Sequence, residues 1–186
     1  MDAIFDRVVR EFFPNTTIPF WKKWLFRTAF GNKVFSRLIY NERLVNKNGV
    51  EWVNAVVELL ELKCESEHHQ LNNIPGHGAT VVISNHPTVI DGLSLIHTVS
   101  RVRSDIKIIA NHVLPIIFPQ VSELTIGIEN MAGKMSHKKF REMNDHLRKG
   151  GVLIICPAGK LANWSLSGLQ EHKWNPGDRK STRLNS

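Results

Sequence analysis

Four short runs of apolar, mostly β-branched residues alternate with segments of helical periodicity in this chain of 186 residues. The runs cover 80–83, 106–110, 122–128 and 152–155. Strands that are separated by helices pair in parallel, because a helical crossover returns the chain to the same end of the sheet. The alternation therefore predicts an α/β fold with a central, mostly parallel sheet flanked by helices. An N-terminal amphipathic helical segment is expected to precede it.

The excess positive charge lies mainly in residues 1–50. The whole chain has 24 Lys and Arg against 17 Asp and Glu, and residues 1–50 hold nine of the basic and four of the acidic residues, interleaved with nine Phe and Trp. Such a basic, aromatic segment is typical of a helix that lies in the membrane interface. The same pattern also fits a helix that packs on the domain with its charges in water. We predict a membrane-association segment at 1–50, an α/β domain at 51–176 and a disordered or non-native tail at 177–186.

Several other features limit the cellular setting. No apolar run reaches the 18 residues that suggest a transmembrane helix. The two cysteines are far apart and outside any metal-binding spacing, so we expect neither a metal site nor a disulfide. We therefore expect a peripheral or monotopic protein at the cytoplasmic face of a membrane. The basic charge also allows a nucleic-acid-binding protein as an alternative, but no recognised nucleic-acid-binding motif is present, and we expect no nucleic acid as a partner.

The strand predicted at 80–83 delivers a histidine into a tight turn before an apolar helix. His86 follows the strand, and Asp91 follows five residues later. A carboxylate in this position can orient the imidazole and fix its tautomer, which gives a general base. No Gly-x-Ser-x-Gly elbow supplies an enzyme nucleophile, so the attacking group would belong to the substrate. The alternative is a histidine that only caps the following helix.

Two blocks of sequence resemble the glycerolipid acyltransferase family, which includes glycerol-phosphate and lysophosphatidate acyltransferases. The block N-H-P-T-V-I-D-G, residues 85–92, is similar to the first family motif, a His and an Asp separated by four residues. The block G-G-V-L-I-I-C-P-A-G-K, residues 150–160, resembles the family strand that ends in a Pro-Glu-Gly-Thr turn, in the Pro-Ala-Gly form of the hemolysin-like and ornithine-lipid branches. The resemblance covers roughly residues 79–176.

The resemblance implies a fatty acyl transfer from acyl-CoA or acyl carrier protein to a glycerol-phosphate or lysophospholipid acceptor, with no further cofactor. His86 would be the catalytic base and Asp91 its partner. The family's acceptor-binding arginine is missing; Lys134 is the nearest cation, and a flexible surface lysine is an equal alternative. Substrate-binding roles are implied for Asn85, Gly127, Asn130, Lys134, Pro157, Ala158, Gly159 and Lys160.

Two further interpretations stay open at this point. Cys156 adjoins the second block, where it is either a thiol nucleophile or a small apolar residue at the end of a buried strand. The chain is also expected to be incomplete at its C-terminus, because the family continues with a helix and a strand that carry a fourth motif. A non-catalytic lipid-binding or membrane-binding domain of the same fold is therefore an alternative to an enzyme.

Overall fold

The structure of the protein is a computed structural model that describes residues 41–66, 71–86, 90–128, 136–157, 163–165 and 168–170. Residues 1–40 of the predicted membrane-association segment and the predicted tail at 177–186 lie outside the described residues. The helices are α1 Glu42–Val45, α2 Gly49–Leu59, α3 Asp91–Ser100, α4 Leu114–Ile117, a 3-10 helix Pro119–Leu124 and α5 His137–Arg148. The strands are β1 Thr80–Ile83, β2 Ile106–Asn111, β3 Thr125–Ile128, β4 Val152–Ile155, β5 Asn163–Ser165 and β6 Gly168–Gln170.

Four strands form one parallel sheet in the order β1-β4-β2-β3, and β5 and β6 form a separate antiparallel pair. The parallel sheet with helices on its faces confirms the predicted α/β class. All four strands of the main sheet run in the same direction, so their C-terminal ends share one edge, which we call the carboxyl edge. Their starting ends share the opposite edge, which we call the amino edge.

The main core lies between one face of the sheet and helices α2 and α3. Val152 and Ile154 of β4 are completely buried there, together with Val53 and Val56 of α2. Burying each aliphatic side chain contributes about 1.5–3 kcal/mol. The other face of the sheet packs against α5, and Leu153 and Ile126 are buried beneath it. The sheet therefore has a helical layer on each side.

The helix ends show where local sequence determined the fold. The sequence predicts a helix that Ser136 caps and that Gly150 and Gly151 end. In the structure Ser136 caps α5 by accepting a hydrogen bond from the Lys139 amide at 3.3 Å, and Gly150 follows the helix with a φ of 85°. The helical spacing of apolar residues also predicts a helix from Glu51 to about residue 67, and this extension of α2 is wrong. The chain leaves the helix at Glu61, which adopts a φ of 52°, and the Leu62 amide closes the end on the Val57 carbonyl.

Residues 111–128 and 163–170 differ from the sequence-based expectations. The sequence predicts a helix at 111–118, interrupted at Pro115, and a strand at 122–128. In the structure β2 extends through Asn111 and β3 begins only at Thr125. Between them the chain forms two short helices, α4 and the 3-10 helix, each with a proline in its first turn. The β5–β6 pair was not predicted at all, because its three-residue strands carry no run of apolar residues.

One buried arginine joins the starting ends of three strands at the amino edge. The Arg103 side chain is 4% exposed and pairs with Asp105 just before β2, at 2.6 and 2.9 Å. It also donates to the carbonyls of Gly78 and Gly150, which precede β1 and β4, and to Thr80 Oγ1. Hydrogen bonding to Asp105 raises the pKa of Arg103 and lowers the pKa of Asp105. A guanidinium has enough donors to serve all these acceptors at once.

Candidate active site

The predicted histidine and aspartate meet at the carboxyl edge. The ladder between β1 and β4 continues one step beyond the strand, where the Ser84 amide donates to the Ile155 carbonyl at 3.1 Å. His86 follows two residues later, and α3 begins at Asp91. His86 Nδ1 lies 3.3 Å from Asp91 Oδ2, and the two side chains are 19% and 20% exposed. The imidazole is thus held in a partly buried position that a small molecule can still reach.

The contact between these two side chains determines which ring nitrogen can act as a base. A proton on His86 Nδ1 is directed at the Asp91 carboxylate, so the lone pair is on Nε2. Asp91 lies in the first turn of α3, where the helix dipole favours a negative charge. When Nε2 takes up a proton, the carboxylate stabilises the resulting imidazolium. The pair is therefore suited to accept a proton from a substrate hydroxyl.

Cys156 lies beside this pair, at the end of β4. Its thiol donates to the Asn85 carbonyl at 3.8 Å. Burial raises the pKa of the Cys156 thiol, and the Asp91 carboxylate raises it further. Because a thiolate is the nucleophilic form of cysteine, both effects work against nucleophilic catalysis by Cys156. The structure thus favours a structural hydrogen bond between two strand ends over a thiol nucleophile.

The two sequence blocks are neighbours because β1 and β4 pair in parallel. Ile83 is the register partner of Ile155, so the segments that leave the two strands run side by side. Asn85 is on the first of these segments and Pro157 is on the second. Of the remaining predicted residues of the second turn, Ala158, Gly159 and Lys160 lie outside the described residues.

Gly127 is on the same edge but far from the histidine. It belongs to β3, which is three strands away from β1, on the order of 14 Å at the usual strand spacing. A Cβ atom at Gly127 would lie 2.9 Å from the His112 Cα atom, so close packing of two backbones requires glycine here. The other predicted acceptor residues, Asn130 and Lys134, lie outside the described residues.

His112 is a titratable residue at this edge that the sequence reasoning did not select. It follows β2 directly, as His86 follows β1 after two residues, and its amide donates to the Ile128 carbonyl at 3.1 Å. The signal that would have found it is a histidine next to the end of a predicted strand. This signal was missed because residues 111–118 were expected to be helical, whereas β2 ends at Asn111, directly before His112.

An open depression of about 430 Å³ lies alongside α3. Ser94 lines it, one helical turn or about 4.5 Å along the axis from Asp91. Leu71, Ile74 and Leu95 contribute apolar groups, and Lys63, Glu65 and Ser66 contribute polar ones. The depression thus has a mixed lining, and neither His86 nor Asp91 is part of it.

Metal binding and membrane crossing were checked over the described part of the chain. No group of three or more His, Cys, Asp or Glu side chains in these residues has an arrangement that would hold a metal ion. None of the helices in the same residues has the length and the apolar composition needed to cross a bilayer. That the reaction needs no metal or other cofactor stays a prediction.

Comparisons with protein-family models, with curated protein sequences and with solved structures give no match to this chain. The fold and the site geometry therefore define an α/β protein with a histidine–aspartate pair at the carboxyl edge of a parallel sheet.

Proposed function

We propose that this protein is an O-acyltransferase that moves a fatty acyl group from acyl-CoA or acyl carrier protein to the hydroxyl of a glycerol-phosphate or lysophospholipid acceptor. It would act at the cytoplasmic face of a membrane as a peripheral or monotopic protein. The observation that carries the proposal is the 3.3 Å contact between His86 Nδ1 and Asp91 Oδ2 at the carboxyl edge. Ligands of open α/β sheets bind at this edge.

The proposed reaction uses the substrate as the nucleophile. His86 Nε2 takes the proton of the acceptor hydroxyl while its oxygen attacks the thioester carbonyl carbon. The carbon–sulfur bond then breaks, an ester forms, and the imidazolium returns the proton to the departing thiolate. Asp91 stabilises the imidazolium between these steps. Asn85 and the backbone amides near Gly159 are proposed to polarise the thioester oxygen.

Two further observations support a base rather than a covalent enzyme nucleophile. The raised pKa of Cys156 keeps its thiol protonated, so the sulfur beside the pair is a poor nucleophile. The depression next to α3 includes Ser94, one turn from Asp91, and its apolar residues Leu71, Ile74 and Leu95 could contact an acyl chain. Both are consistent with a thioester donor bound with its carbonyl near His86.

The test measures thiol release from an acyl thioester in the presence of glycerol 3-phosphate, a lysophosphatidate or a lyso-aminolipid. We expect His86→Ala to lower acceptor-dependent release by about 10²–10⁴-fold, the usual contribution of a general base. Asp91→Asn should lower it by a smaller factor, because the ring is kept but loses its charged partner. His77→Ala is the matched control, since His77 is exposed and precedes β1 at the amino edge.

Two outcomes would contradict the proposal. Turnover that survives His86→Ala would exclude the base, and a loss of turnover in Cys156→Ala as large as that in His86→Ala would restore the thiol nucleophile. Acceptor binding without any thiol release, measured on the same lipids by calorimetry, would instead support the alternative of a non-catalytic lipid-binding domain.

A further inference from the structure

The sheet face that α5 covers is left open at β1. Val81 and Ile83 of β1 are 45% and 53% exposed, whereas Leu153, the register partner of Val81 in β4, is 1% exposed. Val81, Ile83 and Leu153 belong to the same face of the sheet, because the two strands pair in parallel register and side chains alternate along a strand. Among the described strands β1 lies at the edge of the sheet. The opening is thus an apolar strip at one side of α5.

The flank of α5 that borders this strip carries an exposed aromatic ring. Glu142 faces Lys107 of β2, with 4.0 Å between Lys107 Nζ and Glu142 Oε1, so this side of the helix points away from β1. Phe140 is two residues earlier, about 200° around the helix, and therefore lies on the flank toward β4 and β1. Its side chain is 56% exposed. Val81, Ile83 and Phe140 accordingly lie on the same side of α5, and all three are exposed.

The solvent side of α5 is strongly cationic. Lys138, Arg141, Arg148 and Lys149 are all exposed on or at the end of this helix, and Asp145 is the one acidic residue among its exposed positions. Arg141 and Arg148 lie about 100° and 80° around the helix from Phe140, next to the apolar strip, whereas Lys138 and Lys149 lie on the flank of Glu142. An apolar strip beside a row of cations is the arrangement that binds to the interface of an anionic bilayer.

We propose that the β1–α5 surface, formed by Val81, Ile83, Phe140, Arg141 and Arg148, docks on an anionic lipid bilayer. The apolar side chains would enter the boundary between headgroups and acyl chains, and the cations would contact lipid phosphates. Phe140 is in the first turn of α5, near the carboxyl edge, so docking would bring the His86 edge toward the membrane. Delivery of a membrane-borne acceptor to that edge rests on the proposed acyltransferase function, whereas docking itself does not.

The positive charge of this surface favours an anionic bilayer over two other partners, the N-terminal residues of the chain and a second copy of the protein. The N-terminal residues 1–50 are themselves basic, with nine Lys and Arg against four Asp and Glu, so they do not complement a cationic helix. A second copy in a two-fold dimer would place the same cations opposite one another. Anionic lipid supplies the opposite charge to the helix and apolar volume to the strip.

Co-sedimentation of the full chain with vesicles tests the proposal. The vesicles are phosphatidylcholine, alone or with about a quarter phosphatidylglycerol. We expect the double variant Arg141→Gln and Arg148→Gln to lower binding to the anionic vesicles by about tenfold or more and to leave binding to neutral vesicles unchanged. Ile83→Ser with Phe140→Ser should lower binding to both. The matched control is Lys63→Gln with Arg101→Gln, two exposed cations outside residues 1–50 and outside α5, which should bind within about twofold of wild type.

An environment-sensitive dye attached at position 140 gives a second readout. With Phe140→Cys in a Cys64→Ser, Cys156→Ser background, the dye should shift to the blue with anionic vesicles, and a dye at Glu58→Cys, an exposed position of α2, should not. Wild-type binding by both double variants, or an unchanged dye at position 140, would overturn the proposal. So would a lowered melting temperature of Ile83→Ser with unchanged vesicle binding, because the strip would then be covered by the chain itself. These readouts need no turnover, so an inactive protein would reject the acyltransferase and leave the docking test intact.

Discussion

The two edges of the parallel sheet are built in different ways. At the amino edge, the buried Arg103 binds Asp105 and the Gly78 carbonyl through contacts of 2.6–2.9 Å. At the carboxyl edge, the contacts between functional groups are longer, with 3.3 Å from His86 to Asp91 and 3.8 Å from Cys156 to Asn85. One edge is fixed by a charged network, and the other presents partly exposed groups that can change protonation state or partner.

The amino edge of the sheet thus contributes mainly to stability, whereas the carboxyl edge carries the groups of the candidate site. Arg103 joins the starts of β1, β2 and β4, and these are the strands whose other ends carry the candidate site and its neighbours. A sheet that is held in register at its amino edge can keep looser groups at its carboxyl edge without losing the fold. Substitutions at the two edges should therefore have different consequences.

The largest effect is expected at the amino edge. Arg103→Leu leaves the Gly78 and Gly150 carbonyls without this donor and Asp105 without its partner, so we expect the free energy of unfolding to fall by about 2–4 kcal/mol. Chemical denaturation measures the change. Arg101→Leu is the control, because Arg101 is exposed and its guanidinium donates to Ser66 Oγ at 3.0 Å, outside the Arg103 network. If Arg103→Leu unfolds at the same denaturant concentration as wild type, the network does not hold the edge.

Gly127→Ala tests whether the carboxyl edge also contains purely structural positions. The new Cβ atom would lie 2.9 Å from the backbone of His112, and overpacking of this kind costs about 1–3 kcal/mol. Gly76→Ala is the control, because no atom lies within 4 Å of a Cβ atom there. A variant with reduced stability but normal affinity for the acceptor would show that Gly127 acts through packing. Unchanged stability with weakened acceptor binding would instead support the substrate-binding role that the family resemblance implies.

The parts of the structure that the sequence predicted are those that local patterns specify. Val152–Ile155 is an uninterrupted apolar run after two glycines, and Thr80–Ile83 is a β-branched run after a turn, so both strands have the predicted bounds. The parallel pairing of these strands follows from the intervening helices, and it places His86 beside the second sequence block. The short spacing from His86 to Asp91 similarly allows only a local contact.

The parts that could not be predicted depend on contacts between distant residues. From the sequence alone, Arg103 is interpreted as a charged residue at the end of a helix. Nothing near it in the sequence indicates that it donates to the Gly150 carbonyl, 47 residues away. The family resemblance places Gly127 in an acceptor-binding motif. Its close approach to His112, in contrast, depends on the pairing of β2 with β3, which the sequence does not indicate. The exposure of Val81 and Ile83 likewise depends on where α5 packs on the sheet, which the local sequence does not specify.

The ion pair at the amino edge predicts a modest dependence of stability on pH. Arg103 lowers the pKa of Asp105 in the folded protein, so the stabilisation is complete above the unfolded-state pKa of about 3.9 and is lost as the pH falls through the lower folded-state value. Half of the Asp105 side chain is exposed, which limits the effect to about 1 kcal/mol or less. Asp105→Asn should unfold more easily at pH 7 and lose less stability than wild type between about pH 5 and pH 3. Parallel acid-titration curves of the two proteins would contradict this assignment.

The smallest effect is expected at Glu61, where the chain leaves α2. Among the described residues, Glu61 is the one non-glycine residue with a positive φ, 52°, and the amide of the next residue closes the helix on the Val57 carbonyl. Glycine adopts this conformation without a Cβ clash, so Glu61→Gly should raise the free energy of unfolding by about 0.5–1 kcal/mol despite the added freedom of the unfolded chain. Glu65→Gly, at a nearby exposed position without a positive φ, should be neutral or destabilising. Helix α2 starts beside the amino edge and runs away from it to Glu61. If only Glu61→Gly raises the free energy of unfolding, the backbone strain lies at this helix end, away from the Arg103 network. Equal effects of the two glycines would show that this helix end is unstrained.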